Sequence, residues 1–298
     1  MISILIPSYN SRQTIGRCLA SLYEQSYKGE YEIILVDSSN DGTDQFVLKN
    51  FPEVKLIHKT QKTDPGTARN LGIQQARGDL IAFIDADCIA AGNWLDKHVR
   101  AHENAYIAVG GSIQNSNESQ SAVGYAGYIS EFREFIPEQS KMEVNHVPTC
   151  NISYKKTAFE KYGFFSGKFY PQEDLVYNFH LVQNKEKILF DPSIEVHHIH
   201  RTHFKFFFAH QKRIGSITAQ VLDMLDLQGS FLVRHKFVSF PFILCLPLIK
   251  FSKTLFVFLK FRPVILFKNP AIVPLFMTGL IGWMWGFVSY TYIIKNQQ

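Results

Sequence analysis

Residues 65–87 read Pro-Gly-Thr-Ala-Arg-Asn-Leu-Gly-Ile-Gln-Gln-Ala-Arg-Gly-Asp-Leu-Ile-Ala-Phe-Ile-Asp-Ala-Asp. A helical pattern stops at Gly78, an apolar run Leu80–Ile84 follows, and Asp85 and Asp87 stand at its end. A buried strand that finishes in carboxylates points to an open α/β sheet, because such sheets hold their ligands at the C-terminal ends of their strands. Alternate residues of extended backbone point the same way, so Asp85 and Asp87 can face one spot. Two hard oxygen donors there suit Mg²⁺ or Mn²⁺ shared with phosphates. In isolation the same three residues also describe a solvated acidic turn, and their neighbours decide between the two.

Those neighbours alternate. Ile2–Ile6, Glu32–Val36 and Val54–His58 read as strands, each followed by turn residues and a helical pattern. Ser11 can cap a helix with Ile15, Cys18, Leu19, Leu22 and Tyr23 on one face. Helices are expected over Thr67–Ala76 and Gly92–Asn104, and a strand over Tyr106–Ile113. Residues 114–146 look like a loop-rich insert. A strand Asn151–Tyr154, helices Thr157–Tyr162 and Leu175–Gln183 and a short strand Lys187–Phe190 follow. Strand and helix in turn predict a parallel sheet with right-handed crossovers.

The last hundred residues differ in kind. Residues 197–298 hold 12 Lys and Arg against 2 Asp and Glu, whereas residues 1–196 carry a net charge of −5. A basic tail mixed with long apolar runs favours an anionic lipid surface over nucleic acid. Arg201–Leu227 reads as a long helix. Phe237–Ile249 is apolar but, at roughly 20 Å as a helix, too short to cross a bilayer. Lys250, Lys253 and Lys260 then give an interfacial pattern. Pro270–Ile294 has no charged residue and, at roughly 37 Å, is long enough to span. A membrane hairpin or re-entrant pair fits it equally well, and a buried appendage of a soluble protein is the plainer alternative. Cys18, Cys88, Cys150 and Cys245 fit no zinc spacing and read as reduced thiols of a cytosolic compartment. Met1–Pro7 enters a strand pattern directly, with no secretory signal pattern.

Three strands end in Pro-Ser-Tyr-Asn, Val-Asp-Ser-Ser-Asn-Asp-Gly-Thr and Ile-Asp-Ala-Asp. Tyr9 can stack a nucleobase, Asp37 can accept a base or ribose hydrogen, and Arg69 can approach the base or a phosphate. A metal on Asp87 would neutralise a diphosphate. Neither a Gly-x-Gly-x-x-Gly nor a P-loop motif is present, which argues against a dinucleotide cofactor and a P-loop site.

On the stretches Ile4–Asn10, Val36–Thr43, Pro65–Asp87, Asn151–Phe165 and Glu173–His180, the chain resembles an inverting family-2 glycosyltransferase. The resemblance implies a GT-A fold: a Rossmann-like, mostly parallel sheet flanked by helices over residues 1–200. Its nucleotide-sugar half would be about 1–113 and its acceptor half about 114–200. Residues 201–298 would form a helical membrane-associated appendage. By that resemblance Pro7 and Tyr9 line the nucleobase pocket, Asp37 binds the base, and Arg69 lies beside it. Asp85 reaches the ribose or the metal's water shell, and Asp87 coordinates the metal. Asn151 lies near the sugar. The Glu173-Asp174 pair supplies the general base, with Asp174 in that role. His197 or His198 contacts the metal or the diphosphate, and His198 is retained as a candidate metal ligand. Gln211-Lys212-Arg213-Ile214-Gly215 resembles a basic element of membrane-bound relatives. The chain departs from the family pattern at Ser38, often an Asp, and at His180, often an Arg.

The chemistry calls for such a carboxylate independently. A hydroxyl is a poor nucleophile at neutral pH, so a base must take its proton as it attacks the anomeric carbon. A hydrolase would instead want two carboxylates flanking the bond. The expectation is therefore a metal-dependent transferase, taking a nucleotide-sugar donor (UDP by family frequency) and a lipid-linked or cell-surface glycan acceptor. Its catalytic domain would be cytosolic, at a membrane surface, with no nucleic-acid partner. The rival from another class is a non-catalytic nucleotide-sugar-binding or scaffold component of a glycan-assembly complex.

Overall fold

A computed structural model describes residues 1–116 and 121–293. It divides into two compact units, Met1–Gln114 with Phe135–Ile199, and Asn115–Glu134 with residues from His200 onward.

The first unit is built on a sheet. Four strands, β1 (Ile2–Ser8), β2 (Tyr31–Asp37), β3 (Lys55–His58) and β4 (Leu80–Ile84), lie parallel in the order β3-β2-β1-β4. They are short apolar runs, buried in β1, β2 and β4, as central parallel strands require. Helices α1 (Ile15–Tyr23), α2 (Thr43–Asn50) and α3 (Pro65–Gln75) make the crossovers. In α1, Ile15, Cys18, Leu19 and Leu22 are buried as expected, while Tyr23 at the end of the stripe is 40% exposed. Helix α3 starts where Asp64 accepts the Thr67 amide at 3.0 Å and Pro65 takes a first-turn position, where its missing N–H costs nothing.

Beyond β4 the sheet reverses. β8 (Asn151–Lys155) pairs antiparallel with β4, β6 (Ala108–Asn115) with β8, and β9 (Ile188–His198) with both β5 (Cys88–Ala90) and β7 (Met142–Val144). The sheet is therefore mixed, and the expected parallel order holds for its first four strands. Strand β9 runs to His198, well past the expected Phe190. Helix α4 (Trp94–His102), α6 (Lys156–Tyr162) and α7 (Glu173–Gln183) complete this unit. Phe83, Tyr154, Phe159, Phe165 and Tyr177 form an aromatic cluster between β4, β8, α6 and α7, with ring centroids 4.9–6.3 Å apart. That cluster anchors the start of α7.

The second unit is helical. It contains α5 (Ala122–Glu131), α8 (Phe204–Met224), α9 (Phe231–Arg234), α10 (Lys236–Phe261), α11 (Pro263–Lys268) and α12 (Ile272–Tyr292). The segment expected to be a loop-rich insert in the acceptor half thus contributes a capped helix here. Ser121 accepts the Gly124 amide at its start. Its Asn117–Gln120 portion lies outside the described residues. Ala219, Leu232, Val233, Ile243, Trp283, Phe287 and Tyr290 form the core of this unit. Helices α8 and α12 approach to backbone contact: a Cβ on Gly215 would sit 1.8 Å from the Trp283 carbonyl oxygen, and one on Gly286 1.8 Å from that of Lys212.

Residues 236–261 form one helix, not an apolar segment followed by a separate interfacial one, although Pro241 and Pro247 lie within it. Helices α10 and α12 are each long and apolar enough to cross a membrane. The most apolar stretch of α12 is 44% buried and that of α10 only 22%. The end of the expected span at Ile294 and the flanking Lys295 fall outside the described residues.

Candidate active site

The parallel register brings the first two strand ends together. Ser8 and Asp37 are direct partners across β1 and β2, and His58 is the partner of Asp37 across β2 and β3. One Asp37 oxygen accepts the Ser8 hydroxyl at 2.7 Å and the Ser39 hydroxyl at 2.5 Å. The other accepts the Ser39 amide at 3.2 Å and lies 3.0 Å from His58 Nδ1. Asp37 is fully buried, so it organises the ends of three strands. Pro7, one residue before Ser8, is half-buried in β1, and Tyr9 beyond it is 42% exposed with Lys62 Nζ 4.2 Å from its ring centroid. An accessible ring with a cation over one face suits an electron-rich planar ligand on the other. Ser8, Ser39, His58 and Lys62 were not anticipated from sequence, because each becomes relevant only through strand register or a loop's return.

The next strand end carries the two aspartates. The Cys88 amide donates to the Asp85 carbonyl at 2.9 Å, closing a tight turn between β4 and β5. Asp87, 40% exposed, faces His198 on the paired strand, with Nε2 3.5 Å from Oδ1. Ligand atoms of Asp87, Cys88 and His198 lie within 4.8 Å of one another, close enough to hold a metal ion. Burial pushes the Cys88 thiol up, so it is protonated at neutral pH. The donors available are then a carboxylate and an imidazole, a set that fits Mg²⁺ or Mn²⁺ with further positions open to solvent.

Asp85 stands apart from that trio. Its Oδ1 accepts from Arg69 Nη2 at 2.7 Å, and Arg69 Nη1 donates to Glu173 Oε1 at 2.6 Å. Arg69 is 4% exposed and Glu173 3% exposed. Arg69, expected beside the nucleobase, has its guanidinium engaged in a bridge between the end of β4 and α7. Glu173, expected beside Asp174 in the catalytic pair, is likewise enclosed, and its Oε1 holds Arg69. Burial is the largest influence on both carboxyls and raises them, Glu173 to about 7; the guanidinium pulls both back down. Burial also works against the charge on Arg69, yet Asp85 and Glu173 outweigh it and keep the guanidinium ionised.

Asp174, the next residue, is half-buried and turns the other way. Its Oδ2 accepts the Thr149 amide at 3.0 Å and the Thr149 hydroxyl at 3.2 Å, and its Oδ1 accepts the Leu175 amide at 2.7 Å. Thr149 is a further residue that sequence reasoning missed. Asn151, expected near the sugar, is instead fully buried. Its Oδ1 accepts the Trp94 indole N–H at 2.8 Å, and its Nδ2 donates to the Ser112 and Ile194 carbonyls at 2.8 and 2.9 Å. A side chain committed to three core hydrogen bonds fixes β8 against α4, β6 and β9, and presents nothing to a ligand.

Against known proteins, the model for Glycosyl transferase family 2 matches residues 3–163. The chain therefore belongs to glycosyl transferase family 2. It is 28% identical over 172 residues to Glycosyltransferase AglE of Haloferax volcanii, a match covering 55% of each chain. It is 27% identical over 223 residues, 69% of each chain, to the Methanococcus voltae dolichyl N-acetyl-alpha-D-glucosaminyl phosphate 3-beta-D-2,3-diacetamido-2,3-dideoxy-beta-D-glucuronosyltransferase. The match to AglE thus spans about half that relative's length. Among solved structures, mannosyltransferase PcManGT from Pyrobaculum calidifontis, in complex with GDP-Man and Mn²⁺, superposes with a TM-score of 0.65 at 15% identity, covering 98% of this chain and 87% of that one. S. aureus TarS 1-349 gives 0.53 at 18% identity, covering 100% and 92%. These likenesses establish a GT-A type fold, with apolar C-terminal helices that are candidate membrane segments.

Proposed function

We propose that the chain is an inverting, metal-dependent glycosyltransferase that moves a sugar from a nucleoside diphosphate sugar to a hydroxyl of a lipid-linked or cell-surface glycan. The observation that carries this reading is the Glu173–Arg69–Asp85 bridge. It ties the helix start bearing Asp174 to the strand end bearing Asp85 and Asp87. A proton acceptor and the metal-facing Asp87 are thereby held in fixed relation, as a single displacement needs.

Tyr9 and Pro7 take the nucleobase, with Asp37 holding the strand ends beneath. Asp87 and His198 hold the divalent ion, which when bound stabilises the charge gathering on the leaving diphosphate. Asp174 takes the proton of the acceptor hydroxyl as its oxygen attacks the anomeric carbon. The bond to the diphosphate breaks on the opposite face, so configuration inverts. Donors named for solved structures with this fold are GDP-Man for PcManGT and UDP-GlcNAc for TarS; a UDP-sugar is the donor proposed here. The basic, apolar helical unit sets the enzyme at the cytosolic face of a membrane, where a lipid-linked acceptor is presented.

Nucleoside diphosphate release, measured with Mn²⁺ across a panel of donors and lipid-linked acceptors, tests the reading. Asp174→Asn is expected to lower turnover by roughly 10²–10⁴-fold while donor still raises the melting temperature. Asp87→Ala is expected to abolish the Mn²⁺ dependence of donor binding. An Asp174→Asn variant that binds and turns over like wild type overturns the assignment. Donor binding without turnover in any combination favours a non-catalytic component of a glycan-assembly complex.

A further inference from the structure

Glu173 and Asp174 open α7 and leave it in different directions, one to Arg69 and the other to Thr149. Thr149 is 3% exposed and lies two residues before β8. A turn closes around it, with the Asn151 amide donating to the Pro148 carbonyl at 3.1 Å. Asn151 fixes the far end of that turn through its core hydrogen bonds to Trp94, Ser112 and Ile194. One helical turn beyond Asp174, Asn178 grips the same segment. Its Nδ2 donates to the Val147 carbonyl at 3.0 Å, and its Oδ1 accepts the Tyr154 hydroxyl at 2.7 Å. Residues four apart share a helix face, so α7 meets residues 147–154 at Asp174 and again at Asn178. Thr149 is therefore held from both sides before it touches the carboxylate.

A carboxylate offers about four acceptor positions, two on each oxygen. Oδ2 of Asp174 receives two donors from Thr149, the amide at 3.0 Å and the hydroxyl at 3.2 Å. Oδ1 receives the Leu175 amide at 2.7 Å and, among the described residues, no other donor. The half-buried carboxyl thus keeps its open position on Oδ1. Two of these three donors are backbone amides, present whatever side chains stand there. The hydroxyl is the donor that depends on a threonine at 149.

We propose that Thr149 is the positioning residue of the base: it fills Oδ2, so that Oδ1 takes the proton of the acceptor hydroxyl. The proposal rests on the reading of Asp174 as general base. The acceptor O–H bond breaks and its proton passes to Oδ1. The freed oxygen lone pair forms the bond to the anomeric carbon, and the bond from that carbon to the diphosphate oxygen breaks toward the leaving group. Asp174 is left as a neutral acid whose Oδ2 still accepts from Thr149. Without the hydroxyl the carboxyl turns more freely about its Cβ–Cγ bond, and the alignment needed for proton transfer is lost.

Steady-state release of nucleoside diphosphate by the full chain, with Mn²⁺ and a donor and acceptor that turn over, tests it. Thr149→Val is expected to lower kcat by roughly 10- to 100-fold, with KM for the donor unchanged and the donor-induced rise in melting temperature intact. Thr149→Ser keeps the hydroxyl and is expected to recover most of that loss. In the Asp174→Asn background, Thr149→Val is expected to cost less than about twofold more, because a residue acting only through the base has nothing left to position. A merely structural threonine gives another pattern: Thr149→Ser as slow as Thr149→Val, or the same fold loss with and without the Asp174 carboxylate. Either result overturns the proposal, as does a wild-type kcat in Thr149→Val. Should Thr149→Val fail to fold, Thr149→Ser against Thr149→Ala decides, since the two differ by one hydroxyl: a slower Ala variant supports the positioning role, and equal kcat overturns it. If Asp174→Asn turns over like wild type, the base reading falls and this proposal with it. If Asp174→Asn is slow and Thr149→Val is not, the positioning role alone falls. No turnover by the wild-type chain with any donor and acceptor overturns both.

Discussion

The sheet unit and the helical unit solve opposite problems. At the strand ends of the first, charge is taken out of water and each charged group is answered by another: Asp37 by Ser8, Ser39 and His58, and Arg69 by Asp85 and Glu173. In the second, little charge is enclosed. Its helices touch backbone to backbone at Gly215 and Gly286, and its longest helix leaves Phe237 94% and Val238 74% exposed. Patches of that kind are rare on proteins surrounded by water. A unit whose buried charges are paired internally needs no partner for those charges. A unit whose apolar faces are uncovered is finished only by its surroundings. On the proposed reading, the chemistry belongs to the first unit and attachment to a membrane to the second.

The sharpest way to break this contrast is to remove the central cation of the sheet unit. Arg69→Met leaves Glu173 buried and Asp85 half-buried without a counter-charge, and breaking a buried pair from one side costs about 3–5 kcal/mol. Denaturant unfolding of the variant should show a loss of that size. Turnover should fall with it, because Asp174 no longer starts from a fixed position. A stability loss under about 1 kcal/mol would mean the bridge is solvated in solution, and the claim that it holds the two halves of the site together would fail.

Acid sharpens the same contrast at smaller cost. His98 is fully buried beside Trp94, with Nδ1 2.8 Å from the Ser153 hydroxyl, and that hydroxyl also lies 2.9 Å from His102 Nε2. Burial lowers His98 to about 3 and His102 to about 4. Both pKa values are depressed in the folded state, so the unfolded chain binds more protons between the ordinary histidine value near 6.5 and these lower values. Stability is thus complete above about pH 6.5 and is lost as pH falls toward 4 and then 3, at about 1.4 kcal/mol per pH unit for each histidine. From pH 7 to pH 5, His98 alone should account for about 2 kcal/mol. Unfolding curves of His98→Gln, which cannot titrate, should be flatter over that range, and equal slopes for variant and wild type would refute the assignment.

Legibility in the sequence followed the same division. Strands β1, β2 and β4 were plain, because parallel strands buried on both faces are short apolar runs between turn signals. β9 was read too short: Asp191, Pro192, Ser193, Glu195 and His197 interrupt its apolar residues, and only pairing with β5 and β7 keeps it extended. α10 looked like two pieces because Pro241, Pro247 and Lys250 break its apolar run, and tertiary packing overrode them. At the site, Asp85, Asp87 and Asp174 announced themselves as carboxylates at element ends. What they touch did not. Arg69 and Glu173 are 104 residues apart, and an Asn at the start of a strand gives no sign that Trp94 will claim it. A residue type is local information, whereas its hydrogen-bond partner is decided by register and packing.

The smallest expected effect is the most direct test of what surrounds the helical unit. Phe237 is the first aromatic residue of α10 and the most exposed large apolar side chain among the described residues. It contributes almost nothing to packing within the chain, so Phe237→Ser should change melting in detergent by no more than about 0.5 kcal/mol, as for surface substitutions generally. Burying a phenylalanine against lipid is worth about 1.5–3 kcal/mol, so the same substitution should weaken partition into phosphatidylcholine vesicles by roughly 10- to 100-fold. The two measurements separate a membrane-facing surface from a core surface. A large melting shift with unchanged partition would place Phe237 against protein, and the contrast between a self-sufficient sheet unit and a helical unit completed by lipid would not survive it.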